Sequence, residues 1–225
     1  MKPAVDIGSR RELFVDDWLI EQREGCALKL NPPERREVVL VTDQPWEGQE
    51  SAYFTAIHDG DLVRLYYRGF CDSDNNPEQV TCVAESRDGI HFTRPVLGLR
   101  EFAGSHANNI IWRGIESHNF SPLLDANPAA PEKERYKALG GIMVQGKPDV
   151  SGLFAFASAD GLCWRKLSPG PVMTEGAFDS QNIAFWDRLA GCYRSYSRYW
   201  EAESGVRAIQ SCTSRDFLAW SKPEP

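Results

Sequence analysis

The sequence predicts an all-β chain of repeated antiparallel sheets, the architecture of a β-propeller, on three observations. Helical periodicity is nearly absent, while short runs rich in Val, Ile, Tyr, Phe and Trp recur between turn signals at roughly ten-residue intervals. A serine–aspartate turn occurs three times: "SRDGIHF" with Ser86, Asp88, Gly89 and Phe92, "SADGLCW" with Ser158, Asp160, Gly161 and Trp164, and "SRDFLAW" with Ser214, Asp216 and Trp220. Each copy closes the same order of apolar runs, so the repeat is a supersecondary unit.

In the first unit the strands fall at 51–57, 62–68 and 79–86, with a short fourth near 91–95. "HDGD" between the first two is a hairpin signal, because Asp-Gly tolerates positive φ. The order returns as "NFSPLLD", "RYKALGG", "GLFAFASADG" and "CWRKL", and again as "QNIAFWD", "GCYRSYSRYW", "GVRAIQSCTS" and "LAWSKP". The second strands carry tyrosines: Tyr66 and Tyr67, Tyr136, and Tyr193. Asp88, Asp160 and Asp216 are unequally spaced because 97–118 and 168–180 are insertions leading from one unit to the next.

One domain over 1–225 is expected, with blades at 50–96, 117–168 and 179–225. Propellers typically have four to eight blades, so three fall short of a ring. Strand-like 13–20, 26–30 and 37–41, within an N-terminal stretch 1–49, are expected to join a closing blade, with further blades downstream of Pro225. Each Ser-x-Asp turn is read as the hairpin between third and fourth strands, its aromatic packing between blades. Phe217 stands where the other copies have glycine, so the third turn is expected to differ in geometry.

Composition narrows the function. A formal charge of −7 argues against a nucleic-acid backbone or an anionic membrane as partner. No apolar run is long enough for a signal-peptide core or a membrane span, which predicts a cytoplasmic chain. The six cysteines (26, 71, 82, 163, 192, 212) lack a CxxC pair and read as reduced, small apolar residues. His58, His91, His106 and His118 lack ligand spacing, so no metal site is expected. Neither a GxSxG elbow nor a phosphate-binding glycine loop is present.

"RRELFVDDWLI", "PWEG", "RLYYRG", "AESRDGIHF", "ANNIIW", "HNFSPLLDANP", "ERYKALGG", "GAFDSQNIAFWD" and "SRDFLAWSKP" together resemble bacterial proteins related to glycoside hydrolase families 32 and 43. These form the five-bladed propeller superfamily of invertases, levansucrases and arabinanases. The resemblance implies a five-bladed fold, a funnel on the axis, a carbohydrate substrate and no cofactor. It also implies one acidic residue from the innermost strand of each successive blade: an aspartate base or nucleophile, an orienting aspartate and a glutamate acid. Here the three approaches carry Glu47 and Glu50, then Glu116, His118 and Asn119, then Glu175 and Asp179. The "DP" dipeptide common at the start of such enzymes is absent, and Asp16 and Asp17 in "FVDDW" stand as its substitute.

Cleaving a glycosidic bond needs one protonated carboxylic acid and one ionised carboxylate across the sugar. Asp179 is the first catalytic candidate, since "FDSQN" is polar and directly precedes an inner strand; its structural alternative is an Asx-turn. Glu50 holds the same register in the first unit. Glu47 follows Trp46, an aromatic able to stack on a sugar, or the pair forms an acidic loop over a packed tryptophan. Asp17 is the third catalytic candidate, or an edge-strand charge against aggregation.

Asn108, Asn109, His118, Asn119, Glu175, Gln181 and Asn182 offer groups for sugar hydroxyls, or act as loop caps. Arg194 and Arg198 contact an acidic sugar or coat an exposed face. The leading reading is a glycosidase acting on an oligo- or polysaccharide. A non-catalytic carbohydrate-binding or interaction propeller is the alternative, and a sialidase a third, its Asp-box having one more residue between Asp and Gly than "SADGLCW".

Overall fold

The computed structural model describes residues 4–69 and 79–225, which excludes Cys71. The chain divides into two compact units, 1–37 and 38–225. The first contains no strand among its described residues, and it exposes Leu13, Val15 and Trp18. The strands expected at 13–20, 26–30 and 37–41 are therefore not formed. A strand needs a neighbour for its backbone groups as well as apolar side chains, and no ladder reaches these segments. Leu40 packs against the first sheet without pairing to it.

Eleven strands among the described residues make three antiparallel sheets. Sheet 1 is β1 (Ala52–Asp59), β2 (Leu62–Gly69), β3 (Val80–Ser86) and β4 (Ile110–Arg113), paired in that order. Sheet 2 runs β5 (Ser121–Leu124), β6 (Tyr136–Gly140), β7 (Phe154–Ser158) and β8 (Arg165–Lys166). Sheet 3 has β9 (Ile183–Asp187), β10 (Cys192–Trp200) and β11 (Arg207–Ser214), with isolated bridges Ser214–Trp220 and Ser211–Glu224 where a fourth strand was expected.

Sheet 1 departs from the sequence reading at its edge. The segment 91–95 contributes only a Glu85–Thr93 bridge, and the fourth strand is 110–113. Ile110 and Ile111 become fully buried there, a gain the polar "HFTRP" cannot match. Pro95 also lacks the N–H that a ladder needs.

The sheets stack face to face. Ile57, Tyr66, Val83 and Ile111 of sheet 1 meet Phe120, Tyr136, Ala138, Phe154 and Phe156 of sheet 2 in one core. Leu123, Leu139, Leu153 and Ala155 of sheet 2 meet Tyr193, Cys212 and Phe217 of sheet 3 in another. Each seam carries a polar latch. The Asp59 carboxylate, at the end of β1, accepts from the Tyr136 hydroxyl and from Arg135 Nη1 at 2.8 Å. Asp125, just after β5, accepts from the Tyr193 hydroxyl and from the buried Lys137 ammonium, both at 2.7 Å. The Arg135 and Tyr136 bonds hold Asp59 below the usual carboxylate range.

Register corrects one feature of the repeat. Tyr136 pairs with Leu124 and Tyr193 with Trp186, each the residue before the latch aspartate position, whereas the equivalent pair in sheet 1 is His58–Val63. Val63, not Tyr66 or Tyr67, holds the repeat position. Tyr66 instead donates to the Gly161 carbonyl of sheet 2 at 3.1 Å.

The three Ser-x-Asp turns are one structure. Ser86, Ser158 and Ser214 each donate to the aspartate and accept the N–H of Gly89, Gly161 or Phe217 at 2.9–3.0 Å. Each aspartate Oδ1 accepts two further backbone N–H groups at 2.8–2.9 Å. Phe217 adopts φ +68°, beside +74° at Gly89 and +75° at Gly161, so the third turn keeps the geometry that was expected to differ. Its ring is fully buried between Tyr193 and Trp220, and that packing offsets the cost of a left-handed backbone. Phe217→Gly should relax the backbone yet lower stability by about 2–4 kcal/mol, the loss of a buried aromatic less the conformational relief. An unchanged or raised urea midpoint would show that the ring is not what holds the turn.

Candidate functional site

The inner strands β1, β5 and β9 begin at the end of the sheets opposite the Ser-x-Asp turns, and the segments leading into them converge there. Tyr53 reaches across to sheet 3 and donates its hydroxyl to the Asp179 carbonyl at 2.9 Å. Gln181 reaches back to Thr55 Oγ1 at 2.9 Å and the Phe54 carbonyl at 3.4 Å. The Asp179 carboxylate, 46% exposed, forms an ion pair with Arg198 of β10.

Tyr53 gets there by an irregular backbone. Its φ is +54°, and the β1–β2 register shifts between Ala52 and Thr55, which marks a bulge. Bulges re-aim side chains, and such a φ in a tyrosine costs on the order of 1–3 kcal/mol. The ring lies 4.8 Å from the Arg68 guanidinium and 5.7 Å from the His118 ring. Arg68 donates to the carbonyls of Glu50, at 3.1 Å, and His118, at 3.4 Å, tying the first two approaches together. His118 Nδ1 lies 3.1 Å from Gln79 Oε1.

The remaining sequence candidates separate into groups. Asn119 is buried and donates to the Ser180 carbonyl at 3.0 Å while accepting Gly141 N–H at 3.0 Å, so it stitches sheet 2 to the third approach. Asn182 donates to Ser180 at 2.8 Å, and its buried Oδ1 has no partner among the described residues. Glu50 and Glu175 are exposed; Glu175 accepts from Gln210 through its backbone carbonyl at 2.8 Å. Asp17 lies in the N-terminal unit, paired with Arg23 at 3.0 Å.

Trp46, Glu47, Asn108 and Asn109 come together elsewhere, on the face of sheet 1 turned from sheet 2. The Glu47 carboxylate is fully buried; it accepts from Tyr67 and from Arg94 Nε at 2.8 Å. Trp46 Nε1 donates to Asn109 Oδ1 at 2.6 Å, and Asn109 donates to the Tyr67 hydroxyl at 3.0 Å. Asn108 bonds the Arg100 carbonyl at 2.8 Å. The segment lies so close to β2 that a Cβ on Gly69 would meet the Trp46 carbonyl oxygen at 2.7 Å. These side chains are engaged in holding the approach to β1 against the sheet, neither as a solvated loop nor as part of the Asp179 cluster.

Sequence reasoning missed Tyr53, Thr55 and Arg68. "SAYFTAI" reads as a regular strand, and neither composition nor spacing signals a bulge within it. Arg68 stands inside an apolar run, and a buried arginine calls for a reason; that was the available signal.

The chain is a β-propeller protein with a polar, carboxylate-bearing mouth where its inner strands begin. Among solved structures it is similar to an N-acetylgalactosamine deacetylase from F. plautii in complex with blood group B trisaccharide, at 13% identity and a TM-score of 0.52, covering 77% of this chain and 52% of that one. It is also similar to a glycosyl hydrolase from Bacteroides ovatus, at 15% identity and a TM-score of 0.48, covering 77% and 50% respectively. The chain thus spans about half the length of these structures. No protein-family model matches the sequence, and no curated protein matches it.

Positive φ at Tyr53 has a measurable consequence. With the side chain removed, Tyr53→Gly should be more stable than Tyr53→Ala by about 1 kcal/mol, because only glycine takes that backbone without strain. Equal urea midpoints for the two variants would show that the bulge is not enforced.

Proposed function

We propose that this chain is part of a glycoside hydrolase-type protein, cleaving an oligo- or polysaccharide with paired carboxylates at the mouth of the propeller and no cofactor. The observation that carries this reading is the Asp179 carboxylate, oriented by Arg198 and half open to solvent where three inner-strand approaches meet. Glu50 is the second carboxylate of the proposal, since its backbone is fixed by Arg68 beside Tyr53. Tyr53 and Gln181 supply groups suited to hydroxyl-rich ligands. The trisaccharide bound by the deacetylase of similar fold supports a carbohydrate ligand.

A second reading, a non-catalytic carbohydrate-binding propeller, is favoured by one feature. Among the described residues Asp179 has a charged partner for its carboxylate, while those of Glu50 and Glu175 have none and point to solvent. Asp179→Asn separates the readings: it should reduce turnover of a responsive glycoside by about a hundredfold or more with the thermal midpoint preserved. Unchanged turnover would remove Asp179 from the chemistry. Glycan binding by the unaltered chain without any turnover would select the binding reading.

A further inference from the structure

We propose that Arg198 and Arg207, held side by side by Trp200, form a subsite for the carboxylate of an acidic sugar. This rests on the carbohydrate reading above and names its substrate class as uronic-acid-containing glycans. The geometry begins with strand length. β10 pairs with β9 only as far as Tyr196, but with β11 as far as Trp200–Arg207. The end of that hairpin therefore projects past the inner strand, at the mouth.

Arg198 and Trp200 are two residues apart on one strand, and Arg207 is the cross-strand partner of Trp200, so all three share one face. The Arg198 and Arg207 guanidinium carbons lie 5.5 and 5.1 Å from the Trp200 ring centroid. A guanidinium resting on an indole keeps its N–H edge free for a further partner.

The pairing of the two arginines is incomplete. Arg198 has Asp179, but Arg207 has no carboxylate partner among the described residues. The Arg198 side chain is only 11% exposed, and its Nε is buried without a hydrogen-bond partner among them. Burial, and after it the neighbouring Arg207 charge, lower the Arg198 pKa, so the two cations are close enough to oppose each other. Glu201 and Glu203, in the tip of the same hairpin, make no ion pair with either arginine among the described residues, so the guanidinium edge of Arg207 is open to a carboxylate at short range. A sugar carboxylate fits the guanidinium fork, with Tyr53 the neighbouring polar group on the Arg198 side.

The test is calorimetric titration of the 225-residue chain with D-galacturonate and D-glucuronate, their neutral hexoses, acetate and sulfate. At least one uronate should bind tenfold or more tightly than its neutral hexose and than either simple anion. Arg207→Gln, at an exposed position, should remove that tenfold preference while leaving the neutral sugar unchanged; Arg207→Lys should restore part of it. Equal binding of uronate and neutral hexose, an unaffected Arg207→Gln variant, or acetate or sulfate binding as tightly as the uronate would each overturn the subsite and leave the carbohydrate reading standing. Binding of no sugar at all would overturn both.

Discussion

The structure depends on one constraint: each sheet has an apolar face and is stable only where a neighbour covers it. Between sheets 1 and 2, and again between 2 and 3, the cover is a core of aromatic and branched side chains with a single aspartate–tyrosine latch at its end. The apolar contact supplies most of the free energy, being non-directional and proportional to area. The latch supplies register. Asp125 also lies buried with Lys137 of its own sheet, and a slip of one residue between β5 and β6 would leave both charges unpaired, a cost of several kcal/mol.

A division of labour along the strands follows. At the latch end the Ser-x-Asp turns are tight, and each aspartate is satisfied by backbone N–H groups of its own turn. At the opposite end the segments 114–119 and 174–181 carry polar side chains, and the one strained tyrosine of β1 is there too. A scaffold rigid at one end can tolerate irregular backbone at the other, which is where binding groups are usually placed.

Much of this was legible in the sequence. Alternation and turn spacing located the β2, β3, β7 and β10 regions, and the echoed Ser-x-Asp turns marked equivalent hairpins. Asp179 was singled out because a polar run before an inner strand needs partners, and Arg198 and Tyr53 are those partners. What the sequence hid are outcomes of competition. Segment 110–113 displaced 91–95 because two isoleucines gain more by burial; Phe217 took a glycine's backbone because its ring had a core to fill. Trp46 and Glu47 looked like a loop because their partners, Asn109 and Arg94, lie far along the chain. The apolar runs before residue 42 looked like strands because apolarity was visible and the missing ladder was not.

The most direct test of the latched stack is a double-mutant cycle on Asp125→Asn and Tyr193→Phe, with stability measured by urea unfolding. The account predicts a coupling of about 1 kcal/mol or more, as for buried groups that share a charge-assisted hydrogen bond. Additivity within about 0.3 kcal/mol would contradict it, because the two side chains would then stabilise their sheets independently.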